Sequence, residues 1–148
     1  MPEDETIEHA REDEREGKSP STQAGEFVRE EMEHIREGKH GARSPEQAIA
    51  IGLSKARRAG VKLPPPKRGP QRTKRQARRD LAKGRAGRRK KPSLKRSRAT
   101  KRALKRESRR SASRGALSKH AKRVARKRSA RSRSASAKKA AHTRKRRR

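Results

Sequence analysis

The sequence predicts an all-α protein, with a small helical-hairpin head and a long basic tail that is largely disordered or only conditionally helical. Composition is the first reason, because 25% of the 148 residues are hydrophobic and one residue, Phe27, is aromatic. Charge is the second, because residues 1–60 hold 10 Lys/Arg and 14 Asp/Glu whereas residues 61–148 hold 39 Lys/Arg and 2 Asp/Glu. A chain with so little apolar surface cannot offset backbone ordering entropy along its whole length, so we expect one small core.

Four segments follow from these differences. We predict an acidic N-terminal segment at residues 1–21, a helical hairpin at 22–60, a Pro-rich linker at 61–70 and a basic, low-complexity, nucleic-acid-binding tail at 71–148. The linker assignment depends on the three consecutive prolines Pro64-Pro65-Pro66, because prolines end a helix and favour an extended segment.

The N-terminal segment contains a short predicted helix, Thr6 to Glu16, and the first copy of a weak repeat. Ile7-Glu8-His9-Ala10-Arg11 and Met32-Glu33-His34-Ile35-Arg36 share one pattern 25 residues apart, and Ser19-Pro20 recurs as Ser44-Pro45 at the same interval. Two copies of a helix–Gly–Ser-Pro–helix unit are therefore predicted within the head.

The two hairpin helices are predicted from their apolar stripes. Residues 22–37 place Val28, Met32 and Ile35 on one face and leave Glu30 and Glu31 outside it. The second helix, from Pro45 to Ala59, has Ser44 and Gln47 as a capping box and Gly60 as its stop. The core of so small a head is marginal, which leaves homodimerisation or a protein partner open. The predicted head core consists of Phe27, Val28, Met32, Ile35, Ile49, Ile51 and Leu53.

The tail has three weaker helical windows, Thr73 to Lys83, Leu94 to Arg110 and Ala116 to Ala130. Ala, Arg, Lys and Leu favour helices, but like charges four residues apart oppose them. We therefore expect a tail that is disordered when free and partly helical when phosphates neutralise it. The predicted breaks are Gly84, Gly87, Pro92 and Gly115.

The net charge of residues 61–148, 39 positive against 2 negative or +37, predicts a polyanion as partner. About ten phosphate contacts would give a log–log salt slope near −9, with little dependence on base sequence. The basic end of the second hairpin helix, Lys55, Arg57 and Arg58, is a further candidate contact with phosphate. The nucleic-acid-binding residues that we predict are Arg72, Lys74, Arg75, Arg78, Arg79, Arg88, Arg89, Lys90, Lys91, Lys95, Arg96, Lys101, Arg102, Lys105, Arg106, Arg109, Arg110, Lys122, Arg123, Arg126, Lys127, Arg128, Arg144, Lys145, Arg146, Arg147 and Arg148.

Several classes of chemistry are excluded by residue type. The chain has no Cys, so it forms no disulfide, thiolate metal site or cysteine nucleophile. Its 5 histidines lack the usual ligand spacing, so His34 with Glu30 and Glu33 is interpreted as a solvated helical face and not as a zinc site. We therefore predict no catalytic residue, no metal and no cofactor. Because the tail has no aromatic residue, base stacking on single strands is disfavoured.

Residues 27–60 carry a distinctive pattern, in which Gly38-Lys39-His40-Gly41 precedes Ser44, Gln47, Ala48, Ile49, Ala50, Ile51, Leu53, Ser54 and Ala56. This stretch resembles a family of small uncharacterised bacterial proteins with a Ser-x-x-Gln-Ala-Ile-Ala-Ile-x-Leu-Ser-x-Ala helix. The resemblance implies a head-plus-basic-tail protein and no established activity. The tail resembles linker-histone-like basic tails in composition.

Taken together, these features predict a non-enzymatic, nucleoid-associated, histone-like protein that binds duplex DNA by neutralising phosphates. Two alternatives stay open: an RNA- or ribosome-associated basic protein, and an interaction adaptor whose specificity lies in the helical head. No window approaches about 18–20 apolar residues, and the acidic first 16 residues lack the apolar core of a signal peptide. We therefore expect a soluble protein of the bacterial cytoplasm, without membrane association.

Overall fold

The computed structural model describes residues 2–87 and 93–146, and within these ranges it is helical without any β-strand. The fold class is therefore all-α, as predicted. The chain divides into two compact units, Met1–Ser113 and Arg114–Arg148. The helices are α1 (Asp4–Arg15), α2 (Pro20–Arg36), α3 (Pro45–Ala59), α4 (Gln71–Arg85), α5 (Leu94–Arg106), a short 3₁₀ helix (Arg109–Ala112), α6 (Arg114–Lys127) and α7 (Ala130–Arg146).

Helix α3 begins and ends where its sequence predicts. The Ser44 hydroxyl accepts from the N–H of Gln47 at 3.3 Å, and Pro45 occupies the first turn. Gly60 closes the helix with a φ of 111°, a left-handed conformation that suits glycine. The capping box is modified in one respect, because the Gln47 side chain accepts at 2.7 Å from the N–H of Arg43, one residue before the cap.

The 25-residue repeat appears in the structure as two helix ends and two helix starts of the same kind. Gly17 and Gly38 have φ values of 71° and 80° and follow α1 and α2. In each case the next N–H reaches back five residues, from Lys18 to Asp13 and from Lys39 to His34, as in a Schellman motif. Ser19 then caps α2 with Pro20 beside it, as Ser44 and Pro45 do for α3.

The core of the first unit lies where α1, α2 and α3 meet. Ala10, Ala24, Phe27, Ala56 and Val61 form one buried cluster, with Ile7 and Leu53 packed against it. The acidic N-terminal segment therefore contributes a helix to the core of the head. Of the predicted core residues, Phe27, Met32 and Ile35 are buried, whereas Val28, Ile49, Ile51 and Leu53 are half-buried.

Small residues form the most deeply buried stripe of α3. Ala48, Gly52 and Ala56 recur every four residues and are buried, and they bring the backbone of α3 close to α2. A Cβ at Gly52 would lie 2.8 Å from the Cα of Val28 and 2.9 Å from the carbonyl oxygen of Phe27. Ile49 and Leu53, whose side chains are larger, lie beside this stripe of small residues.

The predicted linker does not separate two compact units, because α4 packs on α3 beyond it. The buried side of α4 includes Ala77, which is 3% exposed, and Asp80. Gly84 lies inside α4 and not at a break, because a Cβ there would collide with the carbonyl oxygen of Arg57. Glycine is thus required at this position by contact with α3, a reason that the sequence of α4 alone does not reveal.

The prediction of a disordered tail is wrong for the residues that the structure describes. Helices α4, α5, α6 and α7 occupy most of 71–87 and 93–146, and α7 was absent from the predicted windows. Their Ala, Arg and Lys content favours helices strongly enough to outweigh repulsion between like charges. Gly115, another predicted break, lies in the first turn of α6, and Pro92 lies outside the described residues.

The second unit consists of α6 and α7 and contains no buried side chain among residues 114–145. Leu117 is half-buried, whereas Val124 is 43% exposed. Between the helices, the Arg128 guanidinium donates to the Ser136 hydroxyl at 2.7 Å. The expectation that this part of the chain lacks a core of its own therefore agrees with the structure, although its backbone is helical.

Candidate nucleic-acid interface

Helix α4 separates its charges by face. Lys74, Ala77, Asp80, Leu81 and Gly84 are buried or half-buried at helical spacing. The rest of the helix surface carries exposed cations, of which four belong to the predicted set and two, Lys83 and Arg85, were missed. These residues are Arg72, Arg75, Arg78, Arg79, Lys83 and Arg85. Because the buried face of α4 packs against α3, these cations project from a helix that is fixed to the head.

Asp80, one of the two acidic residues after residue 60, faces the head and not the exposed cations. It is 2% exposed, and its Oδ1 lies 3.7 Å from the Nε of Arg58. Gln76 donates from Nε2 to both carboxylate oxygens, at 3.2 and 3.3 Å. Within the described ranges, no carboxylate lies within 4.0 Å of the side-chain nitrogens of Arg72, Arg75 or Arg79.

Glu107, the other acidic residue, also lies against the head. Its Oε1 is 3.7 Å from Nη2 of Arg43, in the loop between α2 and α3. Two backbone hydrogen bonds bind that loop to the chain around the end of α5. The N–H of Gly41 donates to the carbonyl of Leu104 at 2.9 Å, and the N–H of Ala42 donates to the carbonyl of Ser108 at 3.1 Å. The end of α5 and the 3₁₀ helix are therefore fixed to the head.

The remaining predicted contacts lie on several elements. Lys95, Arg96, Lys101, Arg102, Lys105 and Arg106 are exposed on α5, and Arg109 and Arg110 are exposed on the 3₁₀ helix. In the second unit, Lys122, Arg123, Arg126, Lys127, Arg128, Arg144 and Lys145 are exposed. Lys74 is half-buried on α4. Arg88, Arg89, Lys90, Lys91, Arg147 and Arg148, together with the side chain of Arg146, lie outside the described residues.

The basic end of α3 is not available to phosphate in the way that its sequence suggests. Arg57 is buried and donates to the carbonyls of Leu63 and Pro64, at 3.1 and 3.3 Å. Burial lowers the pKa of Arg57, and the nearby charge of Asp80 opposes that shift. Arg58 is turned toward Asp80, and Lys55 points into the head. These cations therefore hold the fold together.

Lys55 lies between two glutamates, Glu30 and Glu31, that were predicted to lie outside the apolar stripe of α2. Glu30 is 4% exposed and Glu31 is fully buried, so the prediction of a solvated face is wrong for Glu30, and a position outside the apolar stripe did not leave Glu31 in solvent. Lys55 Nζ lies 3.0 Å from Glu30 Oε1 and 2.7 Å from Glu31 Oε2. Only the first contact has the angles of a hydrogen bond, and both oxygens of Glu31 lack a hydrogen-bond partner among the described atoms. The pairing with Glu31 is thus a charge contact.

Two histidines complete this buried ionic cluster. His40 Nε2 lies 3.2 Å from Glu31 Oε1, and the rings of His34 and His40 meet edge to face with centroids 6.2 Å apart. His34 also contacts Glu3 through Nε2 at 2.9 Å. Hydrogen bonds from His34 and then from Lys39 lower the pKa of the Glu3 carboxyl. The interpretation of His34 as a solvated face is therefore wrong, because its side chain is 12% exposed.

No helix in the described part of the chain is long and apolar enough to cross a membrane. Residues 15–68 match the model of a family of unknown function (DUF6496). No curated protein and no solved structure matches the chain. The family match is consistent with the expected resemblance to a small uncharacterised family. It covers α2, α3 and the buried ionic cluster apart from Glu3, and it ends before α4.

Proposed function

We propose that the protein is a non-enzymatic, largely sequence-independent binder of duplex DNA, which acts in the bacterial nucleoid by neutralising phosphates. One observation carries the proposal. The two acidic residues of the basic region, Asp80 and Glu107, pair with Arg58 and Arg43 of the head. The cations on the outer face of α4 consequently have no intramolecular carboxylate beside them within the described ranges, and a polyanion would supply the missing charge.

The arrangement of these cations supports contact with a backbone and not with bases. Helix α4 has 15 residues and exposes arginines along its length, at positions 72, 75, 78, 79 and 85. A helix of that length spans roughly 22 Å, enough to face several phosphates in succession. Exposed guanidinium groups bind phosphate oxygens in pairs without reading sequence.

The helical state of the basic region favours duplex DNA over duplex RNA. An α-helix is about 10–12 Å wide with its side chains, and the major groove of B-DNA is about 12 Å wide. The major groove of A-form RNA is narrow and deep, so a helix does not enter it. The exposed sides of α4 and α5 could therefore lie along the major groove of DNA and contact the phosphates at its edges, which the narrow groove of RNA would not allow.

A competition experiment tests this proposal. The full chain is bound to a fluorescent 30-base-pair DNA of arbitrary sequence in EDTA-containing buffer, and unlabelled DNA or RNA duplexes of equal length compete at matched salt. We expect the DNA competitor to be the more effective by at least about tenfold, with a salt slope of −9 or steeper. Preferred displacement by RNA, or a slope shallower than about −3, would overturn the proposal.

A further inference from the structure

We propose that Glu31, His34 and His40 form a binding site for one divalent transition-metal cation, tested as Zn²⁺. This inference is independent of the proposed DNA binding, because it concerns the head and not the exposed cations of α4. The ligand atoms of these three residues all lie within 4.8 Å of one another. Ligands at about 2.0–2.1 Å from one metal in a tetrahedral shell are roughly 3.3 Å apart, so small rotations of the imidazoles would bring these three atoms to that spacing.

Local structure brings the three ligands together. Glu31 and His34 are one turn apart on α2, so both side chains project from the same side of that helix. His40 lies in the loop that follows α2, after the left-handed turn at Gly38 has reversed the chain. The reversal places His40 Nε2 at 3.2 Å from Glu31 Oε1. All three ligands therefore come from one short stretch of the chain, two from α2 and the third from the loop that follows it.

The second nitrogen of each histidine already has a partner of the kind that metal-bound imidazoles use. His40 Nδ1 lies 3.1 Å from the carbonyl oxygen of Gly41, to which it can only donate, so the neutral ring would have its lone pair on Nε2, which faces Glu31. His34 Nε2 lies 2.9 Å from the carboxylate of Glu3, and Nδ1 lies on the buried side of the ring, 3.8 Å from Glu30 Oε1. A backbone carbonyl or a carboxylate behind a ligating histidine fixes its tautomer and raises its basicity.

Glu31 supplies an independent reason to expect a cation. Its side chain is fully buried, and neither carboxylate oxygen has a hydrogen-bond partner among the described residues. Lys55 lies at 2.7 Å from Oε2 but leaves Oε1 facing His40. Four carboxylates, those of Glu3, Glu30, Glu31 and Glu37, face only two lysines, Lys39 and Lys55. A divalent ion at Oε1 would satisfy the remaining oxygen and balance the two excess negative charges.

The donor set indicates which ions fit. Two imidazole nitrogens and one carboxylate oxygen suit borderline ions such as Zn²⁺ and Co²⁺, and they leave a fourth coordination position open. Mg²⁺ and Ca²⁺ prefer oxygen ligands, and the absence of Cys from the sequence disfavours Cu⁺.

The site would also connect the head to the basic region. His40 precedes Gly41 and Ala42, whose N–H groups donate to Leu104 and Ser108. A Cβ at Gly41 would collide with the carbonyl oxygen of Glu107, so this loop lies tightly against the end of α5. An ion that joins His40 to α2 would therefore stabilise the hydrogen bonds between this loop and the end of α5.

Metal titration of the full chain tests the site. EDTA-stripped protein is titrated with Zn²⁺ in competition with a chromophoric chelator, and separately with Co²⁺, whose visible absorption reports nitrogen and oxygen ligands. We expect one equivalent to bind, and His34→Asn and His40→Asn each to weaken binding at least about tenfold. Glu3→Ala removes the hydrogen-bond partner of His34 and should weaken metal binding about tenfold.

Matched controls come from the other histidines. His9→Asn and His142→Asn remove imidazoles outside the cluster and should change the affinity less than about twofold. Far-UV circular dichroism in EDTA verifies that each variant is folded, and His40→Asn is the decisive variant because its side chain is 18% exposed and not in the core. Absence of saturable binding at one equivalent, or equal losses in the His9 and His40 variants, would overturn the proposal.

Discussion

The Nε of Arg58 lies 3.7 Å from Oδ1 of Asp80, and this contact joins the last turn of α3 to the middle of α4. Asp80 is 2% exposed, whereas the Arg58 side chain is 50% exposed. The acidic residue is therefore withdrawn from solvent while its partner stays at the surface. The contact has two consequences. It helps to hold α4 on α3, and it leaves cations as the only charged side chains on the outer face of α4.

Replacement of Asp80 tests the structural consequence. Asp80→Ala removes the acceptor of Gln76 and the partner of Arg58, so we expect the free energy of unfolding to fall by about 1–3 kcal/mol. Urea denaturation followed by circular dichroism measures the change. Glu33→Ala is the control, because it removes an exposed acid of α2, and it should change stability by no more than about 0.5 kcal/mol. Equal effects would contradict a docked α4.

Gly84 gives a sharper test, because helix propensity and packing predict opposite signs. Alanine in the interior of an exposed helix is more stable than glycine by about 1 kcal/mol. A Cβ at Gly84 collides with the carbonyl oxygen of Arg57, so we expect Gly84→Ala to destabilise the protein. Thermal unfolding of the variant measures the sign.

Gly25 is the matched control for Gly84. It also lies inside a helix, α2, but nothing lies within 4 Å of a Cβ built there. Gly25→Ala should therefore stabilise the protein by about 0.5–1 kcal/mol. If Gly84→Ala stabilised the protein as Gly25→Ala does, α4 would not be packed on α3.

Lys55 should stabilise the fold by neutralising the buried carboxylates of Glu30 and Glu31. Lys55→Met keeps much of the side-chain volume but leaves Glu30 and Glu31 without a cation at 3.0 and 2.7 Å. Removal of one partner from a buried ion pair costs about 3–5 kcal/mol, so we expect a loss of that size in chemical denaturation. Lys62→Met breaks the exposed pair with Glu14 and should cost about 0–1 kcal/mol. Similar losses in the two variants would show that Glu30 and Glu31 are solvated.

The parts of the fold that could be predicted from sequence are those with local causes. Ser44, Pro45 and Gly60 act on residues within one turn, so the bounds of α3 follow from its own sequence. The burial of Glu31 could not be predicted in this way, because it requires Lys55 from another helix. Gly84 resembles a helix break until the carbonyl of Arg57 is placed beside it.

The candidate sites could likewise be predicted from sequence only where their causes are local. Exposed cations on α4 were predicted from composition, but the choice of face depends on the docking of Ala77 and Asp80 against α3. His34 and His40 do not match common metal motifs, and only the reversal at Gly38 brings them together. The pair Glu31 and His34, one turn apart on a helix and followed soon by a second histidine, His40, was the available signal.

The dependence of DNA affinity on salt tests the central claim most directly. The variant Arg72→Gln, Arg75→Gln, Arg79→Gln removes three cations from the outer face of α4, and Arg11→Gln, Arg15→Gln, Arg29→Gln removes three exposed cations from the head. Log Kd is measured against log NaCl concentration for both variants and for the unchanged chain. We expect the α4 variant to flatten the slope by about 2.7, since each lost phosphate contact contributes about 0.9, and the head variant to change it by less than 1. Equal slopes in the α4 variant and the unchanged chain would contradict DNA binding through α4.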